Sequence, residues 1–77
     1  MAKYNLTDQD LEQLNNSYTY HAPKEDQPKR YVVIRDTAKQ LAQTIMENAP
    51  PSRERSIALT QLEIAVTMAN KAIACNE

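Results

Sequence analysis

The fold of this chain is decided by residues 28–74, which read PKRYVVIRDTAKQLAQTIMENAPPSRERSIALTQLEIAVTMANKAIA. Apolar residues recur there at alternating steps of three and four, the spacing of one helix face and not of a strand. The first set is Tyr31, Ile34, Ala38, Leu41 and Ile45, and the second is Ala58, Leu62, Ala65, Ala69 and Ala72. Pro50 and Pro51 separate the sets, because a residue that precedes proline avoids the α region. The segment therefore predicts two helices, over 28–49 and 52–74, that fold as an antiparallel hairpin.

The predicted helix ends carry signals of their own. Pro28 suits the first turn of a helix, where its missing N–H costs nothing, and Ser52 suits an N-cap. Upstream, Thr7 followed by acidic residues predicts the start of a short helix over 7–17. Pro23 lies in a predicted loop over 18–27. The chain is thus predicted to be all-α, a single helical hairpin domain over 1–77 with a short N-terminal helix.

Length and composition predict self-association. Ordering 77 residues costs roughly 115 kcal/mol, at about 1.5 kcal/mol per residue, and only four residues, all tyrosines, are aromatic. The single Cys excludes a disulfide framework. A second apolar row leaves the last helix apolar on more than one side, and it consists of Leu59, Val66 and Ile73. We therefore expect a homo-oligomer centred on the last helix; the alternative is the ordinary core of a three-helix monomer.

Charge balance and hydropathy argue against several classes of partner. Nine Lys and Arg stand against ten Asp and Glu, which gives a net charge of −1, whereas a DNA or RNA duplex calls for a basic surface. The apolar stretches fall far short of the ~20 residues that cross a bilayer. No apolar signal segment follows Lys3. We expect a cytosolic protein that contacts neither a nucleic-acid duplex nor a membrane.

The sequence offers little material for catalysis. The one His, His21, and the one Cys, Cys75, lie at opposite ends of the sequence. There is no metal-ligand spacing and no nucleophile motif, and a chain without Gly cannot contain a Gly-rich phosphate loop. We therefore predict that the protein is not an enzyme and that it uses no metal and no cofactor.

Aromatic and basic residues adjoin one another between the first two predicted helices. Tyr18 and Tyr20 place flat rings in the loop, and such rings stack on nucleobases. Arg35 and Lys39 lie one turn apart on the next helix, where they could meet phosphates. The alternative is that the tyrosines pin the short helix onto the hairpin while the two cations form a solvated face. The candidate binding residues here are Tyr20, His21, Arg35, Thr37 and Lys39.

A second cluster surrounds the start of the last helix. Arg53 and Arg55 lie near a helix N-terminus, where unpaired N–H groups and the helix dipole favour anions. Cations are unfavourable at that end by about 0.3–1 kcal/mol, and a phosphate ligand would relieve this. So would Glu54 or an acidic neighbour on another chain. Three hydroxyl side chains spaced four apart share one face of this helix, Ser52, Ser56 and Thr60.

Two longer motifs stand out in the same regions. The upstream motif is Tyr18-Thr19-Tyr20-His21-Ala22-Pro23-Lys24. The downstream motif comprises Ser52-Arg53-Glu54-Arg55-Ser56, Ala58-Leu59-Thr60, Leu62-Glu63, Ala65-Val66 and Ala69-Asn70-Lys71-Ala72-Ile73-Ala74. Together they resemble the phage anti-CBASS protein 2 family of helical hairpins, over roughly residues 6–77. The clearest departure is Thr67-Met68, where the family often has a Met-Trp pair.

The resemblance implies a compact homohexamer that acts as a sponge for the cyclic oligonucleotides of bacterial antiviral signalling. Carried over by position, Tyr20 would stack on a base of a cyclic dinucleotide, and His21 and Thr37 would hydrogen-bond to it. Arg35 would face phosphate, or Lys39 if the alignment register differs. The positions that match a cyclic trinucleotide pocket are Arg53, Arg55, Ser56 and Thr60.

These observations converge on one predicted function. The protein is expected to be a phage immune-evasion sponge that binds cyclic dinucleotides, and also cyclic trinucleotides, without cleaving them. It would keep the effectors of CBASS defence inactive in the cytoplasm of the infected bacterial host. The alternative is a helical oligomerisation or adaptor protein that binds no small ligand.

Overall fold

The computed structural model describes residues 2–77, which form three α-helices. Helix α1 spans Asp8–Tyr18, α2 spans Gln27–Asn48 and α3 spans Arg53–Asn76. No strand occurs within this range, so the predicted all-α class is confirmed. The observed helices begin and end within one or two residues of the predicted bounds, which is the usual uncertainty of helix ends. Tyr18 closes α1 and does not belong to the following loop.

Two of the helix starts are capped as the sequence predicts. The Thr7 hydroxyl accepts a hydrogen bond from Asp10 N at 3.0 Å, and the Asp10 carboxylate accepts one from Thr7 N at 2.9 Å. This reciprocal pair is a capping box, which satisfies two backbone donors at once. At α3, Ser52 Oγ accepts from Arg55 N at 3.1 Å. Short polar side chains therefore fix where α1 and α3 begin.

The turn between the long helices is held by an arginine side chain. Arg55 Nη1 donates hydrogen bonds to the carbonyl oxygens of Met46, at 3.2 Å, and Ala49, at 3.1 Å. These carbonyl groups lie at the end of α2. No later N–H of the same helix is available to donate a hydrogen bond to them. Many helices are followed by a glycine in the left-handed conformation, and backbone N–H groups of that turn then donate to the last carbonyls. In this glycine-free chain Arg55 provides the donors and ties the start of α3 to the end of α2.

The two long helices pack against each other along one half-buried seam. The seam follows the second apolar row of α3, whereas the predicted alanine positions Ala58, Ala65 and Ala72 are exposed and lie about 90° around the helix. On α2, Ala42 is half-buried at the seam, whereas Leu41, which the spacing predicts there, is exposed. Burying the larger Leu, Val and Ile side chains of α3 removes more apolar area from water than burying alanines. The half-buried apolar residues include Tyr31, Ile34, Ala38, Ala42 and Ile45 on α2, and Leu59, Leu62, Val66, Ala69, Ile73 and Ala74 on α3.

The chain taken alone is a single layer of helices without a core. Its Cα atoms extend over 49 × 37 × 13 Å, so one copy is flat and elongated. The radius of gyration is 17.2 Å, whereas a compact chain of this length has about 11.5 Å. No hydrophobic residue in the described part of the chain is buried. Since domains are normally built from two packed layers, one copy leaves its apolar surface uncovered.

The open end of the hairpin is closed by polar contacts. Glu77 accepts hydrogen bonds from Arg30 and from Gln27 Nε2, and Gln27 is buried with 3% of its surface exposed. The Arg30 guanidinium holds the pKa of Glu77 at about 2, well below its ordinary value. Asn16 Nδ2 donates to Cys75 O at 3.0 Å and attaches α1 to the end of α3.

Over residues 2–77, no helix combines the length and the apolar character that a membrane crossing requires.

Candidate functional site

A groove with two cations runs along one side of the hairpin seam. Arg35 and Lys39 of α2 line it together with Met46, and Glu63 and Thr67 line it from α3. The groove has a volume of about 550 Å³. We call it the cationic groove. It brings together two of the five residues predicted to bind a cyclic dinucleotide.

The opposite side of the seam carries a groove of different chemistry. Val33, Thr37 and Leu41 of α2 line it, and Ala65 and Ala69 line it from α3, around a volume of about 380 Å³. We call it the apolar groove. Residues two apart on a helix point about 200° from each other, so Thr37 lies across the seam from the cationic groove. Within one copy, the predicted hydroxyl and the predicted cation do not face a common space.

The aromatic residues predicted to stack on a base lie at the end of α1 and just beyond it. Tyr18 and Tyr20 expose 85% and 83% of their surface, so neither ring packs onto the hairpin. His21 is half-buried, and its Nε2 donates a hydrogen bond to Asn16 O at 2.7 Å. Because Asn16 is itself bonded to Cys75, this short loop is attached to the end of α3. The exposed rings contradict the alternative in which the tyrosines pin α1 to the hairpin.

The second predicted cluster is divided by the structure. Arg53, Ser56 and Thr60 line one shallow depression on α3 of about 280 Å³, together with Ile57 and Gln61. Arg55 is absent from that depression, because its guanidinium is half-buried and bonded to the end of α2. Of the two predicted arginines, Arg53 is thus the one that shares a surface with the hydroxyl residues.

The cations of both clusters lack acidic partners. Within residues 2–77, each ion pair involves Arg30, with Asp26 at 3.2 Å and with Glu77. Arg35, Lys39 and Arg53 have no carboxylate within 4.0 Å in this part of the chain, although Glu63 lines the cationic groove. Unpaired cations beside an apolar surface attract anions, and arginine in particular binds phosphate in a bidentate manner. The geometry therefore suits anionic ligands.

The sequence interpretation gave Lys71 no role, and it did not predict the contact between Arg55 and the end of α2. Lys71 was quoted within a motif but given no role, and it lines a depression together with Arg35. Arg55 was expected at the ligand, and its part in closing the turn was not foreseen. The lack of Gly after α2 was the available signal, because the last carbonyls of that helix then need another donor.

The comparison with protein families decides the identity. A family model described as Acb2/Tad1, hairpin domain, matches residues 10–74, which is most of the chain. This chain belongs to the Acb2/Tad1 hairpin-domain family. The resemblance predicted from the two motifs is thereby confirmed. No curated protein and no solved structure matches the chain.

The Acb2/Tad1 match also bears on the kind of activity. Its range contains α2, almost all of α3, and all but the first two residues of α1. The predicted binding residues, from Tyr20 to Thr60, fall inside it. Acb2/Tad1 proteins are binding sponges and not enzymes. Among residues 2–77, no group of three His, Cys, Asp or Glu side chains is arranged to hold a metal ion.

Proposed function

We propose that this Acb2/Tad1 protein sequesters the cyclic dinucleotide signals of bacterial CBASS defence, and cyclic trinucleotides as well, without cleaving them. The observation that carries the proposal is the cationic groove, where Arg35 and Lys39 stand one turn apart without an ion-pair partner. A cyclic dinucleotide offers two phosphodiesters and two flat bases, which match cations and exposed aromatic rings. Sequestration in the host cytoplasm lowers the free signal and leaves effectors inactive.

The proposed sponge is a homo-oligomer. The accessible surface of one copy is 6646 Å², whereas a compact monomer of this mass exposes about 4,800 Å². The excess of about 1,800 Å² corresponds to roughly two standard interfaces, each of which covers about 800 Å² per partner. Each copy therefore has enough surplus surface for two neighbours, as a closed ring requires. The number six rests on the family resemblance.

The proposed dinucleotide site is shared between copies. Tyr20 stacks on a base, His21 and Thr37 hydrogen-bond, and Arg35, with Lys39 beside it, holds phosphate. Because Thr37 and Arg35 lie on opposite sides of one hairpin, a ligand that meets both residue types is best placed where two copies adjoin. His21 Nε2 is committed to Asn16 O, which leaves its Nδ1 for the ligand.

The proposed trinucleotide site lies on α3 near its N-terminus. Arg53 supplies the cation, and the hydroxyl groups of Ser56 and Thr60 point to the same surface. In this proposal Arg55 holds the turn in place through its hydrogen bonds to the end of α2, and Arg53 is the cation that faces the ligand. A depression of about 280 Å³ is small for a trinucleotide, so several copies would contribute to this pocket.

Retention of intact ligand tests the proposal. The purified protein is mixed with a panel of cyclic dinucleotides of adenine and guanine, the unbound fraction is filtered away, and the retained fraction is heat-denatured. We expect chromatography to recover unmodified ligand. Recovery of a linear product would show an enzyme, and absence of retained ligand would show that the protein is no sponge.

One observation favours a second candidate function. The apolar groove is long and uncharged, and Val33 and Leu41 expose 63% and 49% of their surface. A helical oligomerisation or adaptor protein would use this surface against another helix and would need no ligand. Such a protein would retain no nucleotide in the test above and would elute as a stable oligomer in size-exclusion chromatography.

A further inference from the structure

A second depression adjoins the cationic groove and shares one residue with it. Tyr31 and Arg35 line it from α2, and Asn70, Lys71 and Ala74 line it from α3, around a volume of about 500 Å³. Arg35 borders both spaces. We call this space the Arg35–Lys71 depression. It is the place where cations from the two long helices converge.

The charges in this depression are not balanced by carboxylates. None of its lining residues is acidic; the nearest acidic linings are those of the adjacent spaces, Glu63 in the cationic groove and Asp10 beside α1. Neither Arg35 nor Lys71 has an ion pair with another residue of the range 2–77. Two uncompensated cations on separate helices repel each other, and a shared anion removes that repulsion.

Asn70, which lines this depression, has a side-chain acceptor without a hydrogen-bond partner. The Oδ1 atom of Asn70 is buried and has no hydrogen-bond partner among the described residues. A buried acceptor without a donor is unfavourable, and native proteins rarely leave one unexplained. Because Oδ1 has no surface open to solvent, a ligand in this depression contacts Arg35 and Lys71 and does not reach this acceptor.

Lys71 also lies between this depression and the aromatic loop. It lines a third space, beside α1, together with Tyr18. Tyr18 precedes Tyr20 by two residues, and the Asn16–Cys75 hydrogen bond fixes this part of the chain one helical turn beyond Lys71. A ligand that reaches from the exposed tyrosines to Arg35 passes over Lys71.

We infer that Lys71 is a second phosphodiester-binding cation, which acts with Arg35. This inference rests on the proposed sponge function and adds α3 to a site that sequence reasoning assigned to the loop and α2. Recognition of the phosphodiester then depends on the two long helices being held in register.

The test compares two lysines that carry the same charge. Lys71→Met is measured against Lys29→Met, an exposed control that lines none of the spaces described. Equilibrium retention of the cyclic dinucleotide panel is the readout. We expect Lys71→Met to weaken binding about tenfold, because a hydrogen bond to a charged group is lost, and Lys29→Met to change it less than twofold. Lys71→Arg should restore most of the affinity.

Each outcome has a defined meaning. If both methionine variants bind like the wild type, the inference is wrong and the sponge function stands. If the wild type retains no member of the panel, the proposed function and the inference fall together. In case Lys71→Met does not fold, the side-chain resonances of Lys71 in the wild-type protein decide: they shift on ligand addition if Lys71 contacts the ligand, and a lack of change overturns the inference.

Discussion

Removing the Arg55 side chain is expected to destabilise the protein without touching a ligand. Arg55→Ala deletes two hydrogen bonds to the carbonyls of Met46 and Ala49, at 3.2 and 3.1 Å. Hydrogen bonds from charged groups contribute about 1.5–3 kcal/mol each when buried, but Arg55 is half-buried and water can replace it in part. We expect a loss of about 2 kcal/mol in total, which lowers the melting temperature by about 10 °C.

The matched control is the neighbouring arginine. Arg53→Ala removes an equal charge from the same helix end but no hydrogen bond, so it should change the melting temperature little. Melting is followed by circular dichroism at one fixed protein concentration, because oligomer stability depends on concentration. Trinucleotide retention, measured well below both melting temperatures, should be lost in Arg53→Ala and kept in Arg55→Ala. Equal melting temperatures with retention lost only in Arg55→Ala would refute the assignment of the two arginines.

Three further predictions address the remaining surfaces. Tyr20→Ala should abolish dinucleotide retention with oligomer mass unchanged in native mass spectrometry, whereas Tyr4→Ala, also an exposed tyrosine, should retain ligand normally. Glu77→Gln should lower stability at pH 7 but not at pH 2: the wild-type pKa is lowered to about 2 by Arg30, so the ionic contact stabilises fully above the ordinary value of 4.5 and is lost as pH falls from there towards 2. Chemical denaturation at both pH values checks this, and an equal effect at each would contradict it. Ala65→Asp places a charge in the apolar groove and should dissociate the oligomer in size-exclusion chromatography, whereas Gln43→Glu should leave the elution volume unchanged.

Local signals in the sequence were sufficient to predict the helices and their caps. Thr7, Ser52 and the Pro50-Pro51 pair act on neighbouring backbone, so their effect can be predicted without knowing the rest of the structure. The seam could not be predicted in the same way. Both apolar rows of α3 have helical spacing, and side-chain volume favours turning the Leu, Val and Ile row inward, while Ala58, Ala65 and Ala72 stay exposed.

The candidate sites were predictable only in part, for geometric reasons. Arg35 and Lys39 are four apart and share a groove, as helical geometry requires. Thr37 is two residues from each, and that spacing already implies the opposite side of α2. Arg53 and Arg55 have the same relation on α3, but which of them turns towards α2 depends on the crossing of the two helices. Lys71 approaches Arg35 through tertiary packing, which no spacing within one helix reveals.

The flat shape of one copy, whose shortest Cα extent is 13 Å, affects when the protein can act. In the proposed homo-oligomer, neighbouring copies cover the surface that one copy leaves exposed, so folding and subunit association would be a single concentration-dependent event. Ligand bound between copies would shift the equilibrium towards the assembled protein. The signal molecule would then favour formation of the oligomer that sequesters it. Early in expression, when copies are few, rising signal would therefore shield the newly made chains from proteolysis.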